Sequence, residues 1–258
     1  MLARVALAAL LACASAVRAG DPFPGVAAAY LVIVDGAVRW EHRADAPRAP
    51  ASLSKLMAAL LVEEEGGLDE WVTVSARAAR ARGARLGLHA GDRVAAQGLL
   101  AAMLVGSAND ACYALAERKG GIGAFVARMN ARAAALELRA TRFADPCGFD
   151  AQGQHSTARD LARLAHAFMQ RPQLAALAAR REVEVADAAG RRLRVKSSNV
   201  LLEHLPGAIG VKTGETRRAG RNLIALAVRD GRRVLLVMLG ARDRWWDAHA
   251  ILERALAR

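Results

Sequence analysis

The segment 27–34 (AAAYLVIV) is apolar along its whole length and rich in β-branched residues. Such a segment, bounded by turn residues, predicts a buried strand. The dipeptide Asp35-Gly36 follows it, and the next segment, 37–43, mixes apolar and polar residues. Because Asp-Gly between two such segments favours a two-residue turn, we predict a β-hairpin here.

Strand-like patterns return towards the C-terminus, where Asp230-Gly231 separates two apolar segments and predicts a second hairpin. The predicted elements of this part of the chain are strands over 182–186, 191–196, 207–214, 221–229 and 232–240, and a helix over 245–257.

The middle of the chain, about 75–181, is rich in Ala, Leu and Arg, with apolar residues at helical spacing. An earlier helix, predicted from Ser52 to Glu65, is apolar on all sides in its middle, which is typical of a helix enclosed by protein. The other predicted helices cover 95–105, 109–119, 121–137, 157–170 and 172–181. We therefore predict an α+β fold, an α/β/α sandwich: one antiparallel sheet built from both chain ends, helices on its faces, and a helical lobe from the insert.

The first 19 residues are typical of an export signal: a basic start, an apolar stretch of about a dozen residues and small residues at the end. The stretch is too short to span a bilayer. Cleavage after Ala16 or Ala19 is predicted, and a lipoprotein anchored through Cys13 is the alternative. Residues 20–258 are then expected to form a single periplasmic catalytic domain without a membrane anchor.

The chain has 258 residues and a formal net charge of +12. The charge favours an anionic partner, or it reflects a general use of Arg, since the basic residues are spread along the chain. Basic residues do not alternate with aromatic residues along a stripe, which argues against nucleic-acid binding.

Three cysteines occur, and Cys13 falls in the predicted signal. In an oxidising compartment Cys112 and Cys147 can form a disulfide, or they can remain two buried thiols. The sequence has neither a CxxC nor an HExxH motif. We therefore expect neither a metal nor another cofactor.

Ser52 and Lys55 are three residues apart, which places them on one face of a helix. A Ser hydroxyl needs an adjacent base to act as a nucleophile, and a Lys can be that base if burial or a second cation lowers its pKa. The alternative for Ser52 is helix capping.

Two further motifs carry suitable side chains. Ser107 and Asn109 lie between two predicted helices and offer a hydroxyl and an amide, although capping would also explain them. Lys212, Thr213 and Gly214 end a predicted strand, where Lys212 could act as a second cation, or they are an ordinary strand end. Only four Lys occur in the chain, and two of them fall in these motifs.

With SxxK, SxN and KTG in this order, the chain resembles the penicillin-recognising serine enzymes. More closely, it is similar to the D-alanyl-D-alanine carboxypeptidase family, the low-molecular-weight penicillin-binding proteins. The segments that carry the resemblance are RAPASLSKLM (48–57), LLAAMLVGSANDACYALAE (99–117), FADPCGFDAQGQHSTARDLARLA (143–165) and SNVLLEHLPGAIGVKTGETRRAGRNL (198–223).

The resemblance implies a serine β-lactamase/DD-peptidase-like fold and a role for each motif residue. Ser52 is expected to be acylated by the penultimate D-Ala of a peptidoglycan stem peptide, and β-lactams to inhibit it. The expected roles of the others are proton acceptor for Lys55, proton relay and substrate anchoring for Ser107 and Asn109, electrostatic tuning for Lys212, carboxylate binding for Thr213 beside Gly214, and an oxyanion hole from the backbone N–H groups of Ser52 and Glu215.

Two positions leave alternatives open. Arg244 matches a carboxylate-binding Arg of the family, or it is a solvated cation at the end of a helix. Glu215 departs from the family pattern, since an acidic side chain pointing inward would repel a carboxylate.

The chain also stops where longer members carry a β-rich domain and an anchor helix, which gives weight to a D,D-endopeptidase. A β-lactamase and a non-catalytic cell-wall binding module are the remaining alternatives.

Overall fold

The computed structural model describes residues 21–257. The predicted export signal, its cleavage sites and Cys13 lie outside these residues. In chain order, the strands are β1 (Ala27–Val34), β2 (Ala37–His42), β3 (Trp71–Thr73), β4 (Arg93–Ala95), β5 (Glu182–Ala186), β6 (Arg192–Lys196), β7 (Ala208–Thr216), β8 (Gly220–Arg229) and β9 (Arg232–Ala241). The α-helices are α1 (Lys55–Glu64), α2 (Ala76–Ala79), α3 (Ala96–Val105), α4 (Asn109–Glu117), α5 (Gly121–Ala135), α6 (Ala158–Met169), α7 (Pro172–Ala178), α8 (Leu201–His204) and α9 (Arg244–Leu256).

The main sheet joins the two ends of the chain, as the sequence predicts. Its five antiparallel strands have the order β2-β1-β9-β8-β7, so the first and last strands of the chain, β1 and β9, are neighbours. Asp35 and Gly36, and likewise Asp230 and Gly231, adopt positive φ values. Both dipeptides therefore form the left-handed turns that tight hairpins require.

Helices cover both faces of this sheet. In β1, Leu31 belongs to the larger core, which is formed with α1, α6 and the helical lobe. Tyr30 and Val32, on the other face, pack in a second core with Ile251 and Leu252 of α9. This alternation is the period of two that a strand buried on both faces allows. The α/β/α sandwich predicted from the sequence is confirmed.

The short elements β3, β4, α2 and α8 are not predicted by the sequence patterns, because segments of three or four residues carry no measurable periodicity. Strand β7 forms one edge of the main sheet, with β2 at the other, and it lies against the segment that precedes α1. This edge places the third motif beside the first. Within residues 21–257, none of the helices has the length and apolar character needed to cross a membrane.

Candidate active site

Ser52 lies in a 3₁₀ turn, Ala51–Ser54, and α1 begins only at Lys55. The predicted helix start at Ser52 is therefore wrong by three residues. Ala51 adopts φ 51°, in the left-handed region, so no α-helix extends back through it, and the three residues that follow it belong to the tighter 3₁₀ turn. Neither the turn nor α1 has a side-chain cap. The structure therefore excludes the capping alternative for Ser52, because the Ser52 hydroxyl caps neither element.

Lys55 is fully buried, and its amine lies among three oxygens. Nζ is 2.9 Å from Ser52 Oγ, 2.8 Å from Asn109 Oδ1 and 2.7 Å from the backbone carbonyl oxygen of Cys147. Burial lowers the pKa of Lys55 from 10.5 to about 7, although the carboxylate of Asp145 opposes the shift. A lysine with this pKa is neutral in a large fraction of molecules near pH 7 and can accept a proton.

Ser107 and Asn109 line the same cleft as Ser52. They lie where α3 has ended and α4 begins. Ser107 adopts φ 60°, a backbone conformation that residues other than Gly rarely adopt. Where such residues occur, they are often at functional sites. The N-cap of α4 is Ala108, with no side-chain cap, so capping does not explain Ser107 or Asn109. Asn109 also donates from Nδ2 to the carbonyl of Arg82, at 2.7 Å, which fixes the amide orientation.

The third motif lies inside β7 and not at its end, because the strand continues to Thr216. Lys212 is 1% exposed, and Nζ donates to the backbone carbonyl of Thr213 at 3.1 Å. Burial, together with the positive charges of Lys55 and Arg244, lowers the pKa of Lys212 well below its ordinary value. The two lysines thus lie in one electrostatic environment, in which each added proton is costly.

Gly214 allows β7 to approach the nucleophile. A Cβ built on Gly214 would lie 3.0 Å from the backbone nitrogen of Ser52 and 3.1 Å from Ala51 Cβ. A side chain here would push the nucleophile turn back by a few tenths of an ångström, and glycine avoids this shift. The close approach brings the backbone of Glu215, the next residue, to the edge of the cleft beside Ser52.

Arg244 is the first residue of α9, and its side chain is only 12% exposed. Nη1 donates to the carbonyls of Gly214 and Asn222, each at 3.2 Å, and the residue lines the cleft. The alternative of a solvated helix-end cation is therefore wrong. Glu215 has a side chain that is 57% exposed and lies 3.6 Å from Arg244 Nη2, so its carboxylate is paired at the rim.

Together these residues enclose a cleft of about 270 Å³. The residues that line it are Ser52, Gly83, Ala84, Gly106, Ser107, Asn109, Cys147, Gly148, Phe149, Ser198, Thr213, Gly214, Glu215, Thr216 and Arg244. Every motif residue predicted from the sequence lies in this lining or, for the two buried lysines, directly behind it. Within residues 21–257, no group of three His, Cys, Asp or Glu side chains has metal-binding geometry.

The family model for D-alanyl-D-alanine carboxypeptidase matches residues 16–243. The chain belongs to this family. Among curated carboxypeptidases, DacB2 of Mycobacterium tuberculosis is 34% identical over 210 residues, which are 79% of this chain and 72% of the relative. A D-alanyl-D-alanine endopeptidase of Pseudomonas aeruginosa is 32% identical over 215 residues, 81% of this chain and 69% of the relative.

Solved structures of the family agree in fold. The DD-transpeptidase of Streptomyces K15 superposes with a TM-score of 0.83 and 28% identity, covering 90% of this chain and 98% of that one. Several curated carboxypeptidases are longer: the chain spans 54% of DacF of Bacillus subtilis and 52% of DacD of Escherichia coli.

Three residues of this carboxypeptidase family member take part in the site although sequence reasoning did not assign them a role. Ser198 Oγ is 2.6 Å from Thr213 Oγ1, and it lines the cleft. Asp145 accepts from the backbone N–H groups of three successive loop residues, Cys147 to Phe149. A Cβ on Gly148 would overlap the carbonyl of Ala51, so this loop packs directly on the nucleophile turn. The only sequence signal for them is their place in segments 143–165 and 198–223.

Proposed function

We propose that the protein is a serine-type D-Ala-D-Ala carboxypeptidase that acts on peptidoglycan stem peptides through an acyl-enzyme on Ser52. The observation that carries the proposal is the contact of 2.9 Å between Ser52 Oγ and the amine of Lys55, whose pKa burial lowers to about 7. Membership of the D-alanyl-D-alanine carboxypeptidase family supports the substrate class.

In the proposed acylation step, Lys55 accepts the proton of Ser52, and Oγ attacks the carbonyl carbon of the penultimate D-Ala. The backbone N–H groups of Ser52 and Glu215 then stabilise the oxyanion, since Gly214 brings the two segments within van der Waals contact. Ser107 relays this proton from Lys55 to the leaving amine as the C–N bond breaks, so that Lys55 is neutral again and the terminal D-Ala departs. Asn109 holds both Lys55 and the substrate amide.

The carboxylate of the departing D-Ala is proposed to bind where hydroxyl and guanidinium groups converge. Thr213 is oriented by Ser198, and Arg244 supplies the positive charge nearby. The buried amine of Lys212 donates to the backbone carbonyl of Thr213 at 3.1 Å, which fixes the strand at this end of the cleft.

Hydrolysis of the acyl-enzyme bears on the β-lactamase alternative. The only carboxylate among the described residues that line the cleft is that of Glu215, which is half exposed and paired with Arg244. Without a second carboxylate to activate water, a penicilloyl adduct is expected to be long-lived. A non-catalytic wall-binding module would have no need for the contact between Ser52 and Lys55.

The second candidate is a D,D-endopeptidase that cleaves peptidoglycan cross-links. It is favoured by the endopeptidase of Pseudomonas aeruginosa, which matches 81% of this chain at 32% identity. Both reactions break a bond on the carboxyl side of D-Ala, so the same catalytic residues serve either one. Either activity requires export across the inner membrane, and we propose the periplasm as the site of action.

The test is to label the protein with a fluorescent penicillin and to incubate it with a monomeric pentapeptide and with a cross-linked dimer. A covalent adduct on Ser52 and release of D-Ala from the pentapeptide are expected, both lost in Ser52→Ala. Cleavage of the dimer alone would establish the endopeptidase instead. The absence of any Ser52 adduct would exclude both activities.

A further inference from the structure

The two fixed acceptors of the Lys55 amine come from different parts of the chain, and a disulfide joins these parts. Asn109 opens α4, and Cys112 lies three residues later, in the first turn of that helix. Cys147, whose carbonyl is the other acceptor, lies in the loop between α5 and α6. Cys112 and Cys147 are bonded, with their Cα atoms 5.8 Å apart, and both are 1% exposed.

The two acceptors determine where Lys55 can accept a proton. A neutral amine has two N–H bonds and one lone pair, whereas an amide or backbone carbonyl oxygen can only accept a hydrogen bond. If Asn109 Oδ1 and the Cys147 carbonyl accept the two N–H bonds, the lone pair faces the third neighbour, Ser52 Oγ. The base is then oriented as well as neutral.

The loop that carries the Cys147 carbonyl has no regular secondary structure of its own. Residues 136–157, between α5 and α6, form neither a helix nor a named strand. Hydrogen bonds from successive backbone N–H groups to Asp145 shape the turn, but Asp145 belongs to the same loop. Tyr113 of α4 reaches it from outside, through a hydrogen bond of 2.7 Å to Asp145 Oδ2. The disulfide is the covalent link between the loop and α4.

We propose that the disulfide between Cys112 and Cys147 is a positioning element for the catalytic base. It holds the Cys147 carbonyl at a fixed distance from Asn109 Oδ1, and so directs the Lys55 lone pair at Ser52. This inference rests on the proposed acyl-enzyme function. It predicts that breaking the bond slows acylation while substrate binding, which uses Thr213 and Arg244, is retained.

The experiment compares the wild-type protein, oxidised or reduced with a phosphine, with the double variant C112A/C147A, in which neither partner of the disulfide keeps a thiol. The expected loss in kcat is about 10- to 100-fold, as for a small misplacement of a reacting group, with KM unchanged. A loosened loop admits water beside Lys55, so its pKa rises towards 10.5 and the acidic limb of the pH–rate profile moves to higher pH. Reoxidation with glutathione disulfide should restore the reduced wild type and leave the variant unaffected.

A control variant distinguishes a specific effect on Lys55 from a general loss of stability. Leu252→Ala removes a fully buried side chain from α9, on the far side of the sheet, and should lower the melting temperature without moving the pH profile. An unchanged kcat and pH profile in both the reduced wild type and C112A/C147A would overturn the positioning role. If even the oxidised wild type formed no Ser52 adduct, the proposed function itself would fail, which is a different outcome.

Discussion

The carboxylate of Glu215 lies 3.6 Å from the guanidinium of Arg244 at the mouth of the cleft. Arg244 is the cation best placed to receive the carboxylate of a substrate, and Glu215 follows the KTG motif directly. A substrate carboxylate therefore competes with a carboxylate that the protein itself provides. Glu215 lines the cleft at its rim, and its charge partly neutralises the cation that we propose binds the substrate carboxylate.

Removing this competition should tighten substrate binding. For Glu215→Gln we expect KM for a D-Ala-D-Ala pentapeptide to fall about two- to fivefold, the range of a partly exposed ion pair, with kcat retained. Glu203→Gln, an exposed carboxylate of α8, is the matched control and should leave KM unchanged. A higher KM in Glu215→Gln would show instead that the pair holds Arg244 in place.

The pH dependence of acylation should report on Lys55. The neutral amine is the active form, and its pKa is about 7. The acylation rate should therefore rise as the pH increases through 7, and it should be low at acidic pH because protonation removes the base. The measurement is the second-order rate constant for a fluorescent penicillin between pH 5 and 9, in about unit steps. A rate independent of pH over this range would contradict the assignment of Lys55 as the base.

Replacing the base tests the same point chemically. Arg cannot lose its proton, so Lys55→Arg should slow acylation by about 100- to 10,000-fold, the usual contribution of a general base. Lys119→Arg, at an exposed lysine, is the control and should react like the wild type. Circular dichroism must show that both variants are folded.

The sequence predicts the sheet and the main helices because their patterns are long and bounded by clear turns. Asp35-Gly36 and Asp230-Gly231 mark both hairpins, and the apolar middle of α1 marks it as buried. The nucleophile turn is different. Its 3₁₀ geometry depends on Ala51 adopting a left-handed conformation against Gly148, which is almost 100 residues away, and such a contact leaves no local pattern.

In the site, too, the sequence reveals some residues, whereas others acquire their role only through the fold. Ser52 and Lys55 are recognisable because their spacing is local, and KTG and SxN because their side chains are reactive. Ser198 is not recognisable, because its role comes from the neighbouring Thr213 hydroxyl, which the fold brings within 2.6 Å. The partners of Glu215 and Arg244 likewise depend on how α9 packs against the edge of the sheet.

The contact between Ser198 and Thr213 should affect binding more than chemistry. Ser198→Ala removes a hydroxyl that orients Thr213 Oγ1, and one such hydrogen bond contributes about 1 kcal/mol, so KM should rise about fivefold. Ser197→Ala is the neighbouring control, since Ser197 Oγ bonds only the backbone N–H of Asn199 in the described structure. Steady-state kinetics with the pentapeptide separate KM from kcat, and a change confined to kcat would argue against this role.

Two arginines beside the cleft, Arg217 and Arg218, are expected to attract an anionic substrate. Arg217 and Arg218 are exposed and directly follow Glu215 and Thr216, which line the cleft. Asp150 accepts from Thr216 Oγ1 at 2.7 Å and from the backbone N–H of Arg218 at 3.3 Å, which fixes the turn that presents both side chains. A stem peptide with several free carboxylates would meet these cations before it reaches Ser52.

Salt should therefore weaken binding of an anionic stem peptide, because screening over a Debye length of about 10 Å at 0.1 M removes this attraction. In R217Q/R218Q we expect KM for such a peptide to rise about threefold and its salt dependence to flatten, within the range of exposed charge pairs. R139Q/R180Q removes two exposed arginines elsewhere and should leave both quantities unchanged. An equal effect in the two variants would mean that net charge matters and that the rim does not.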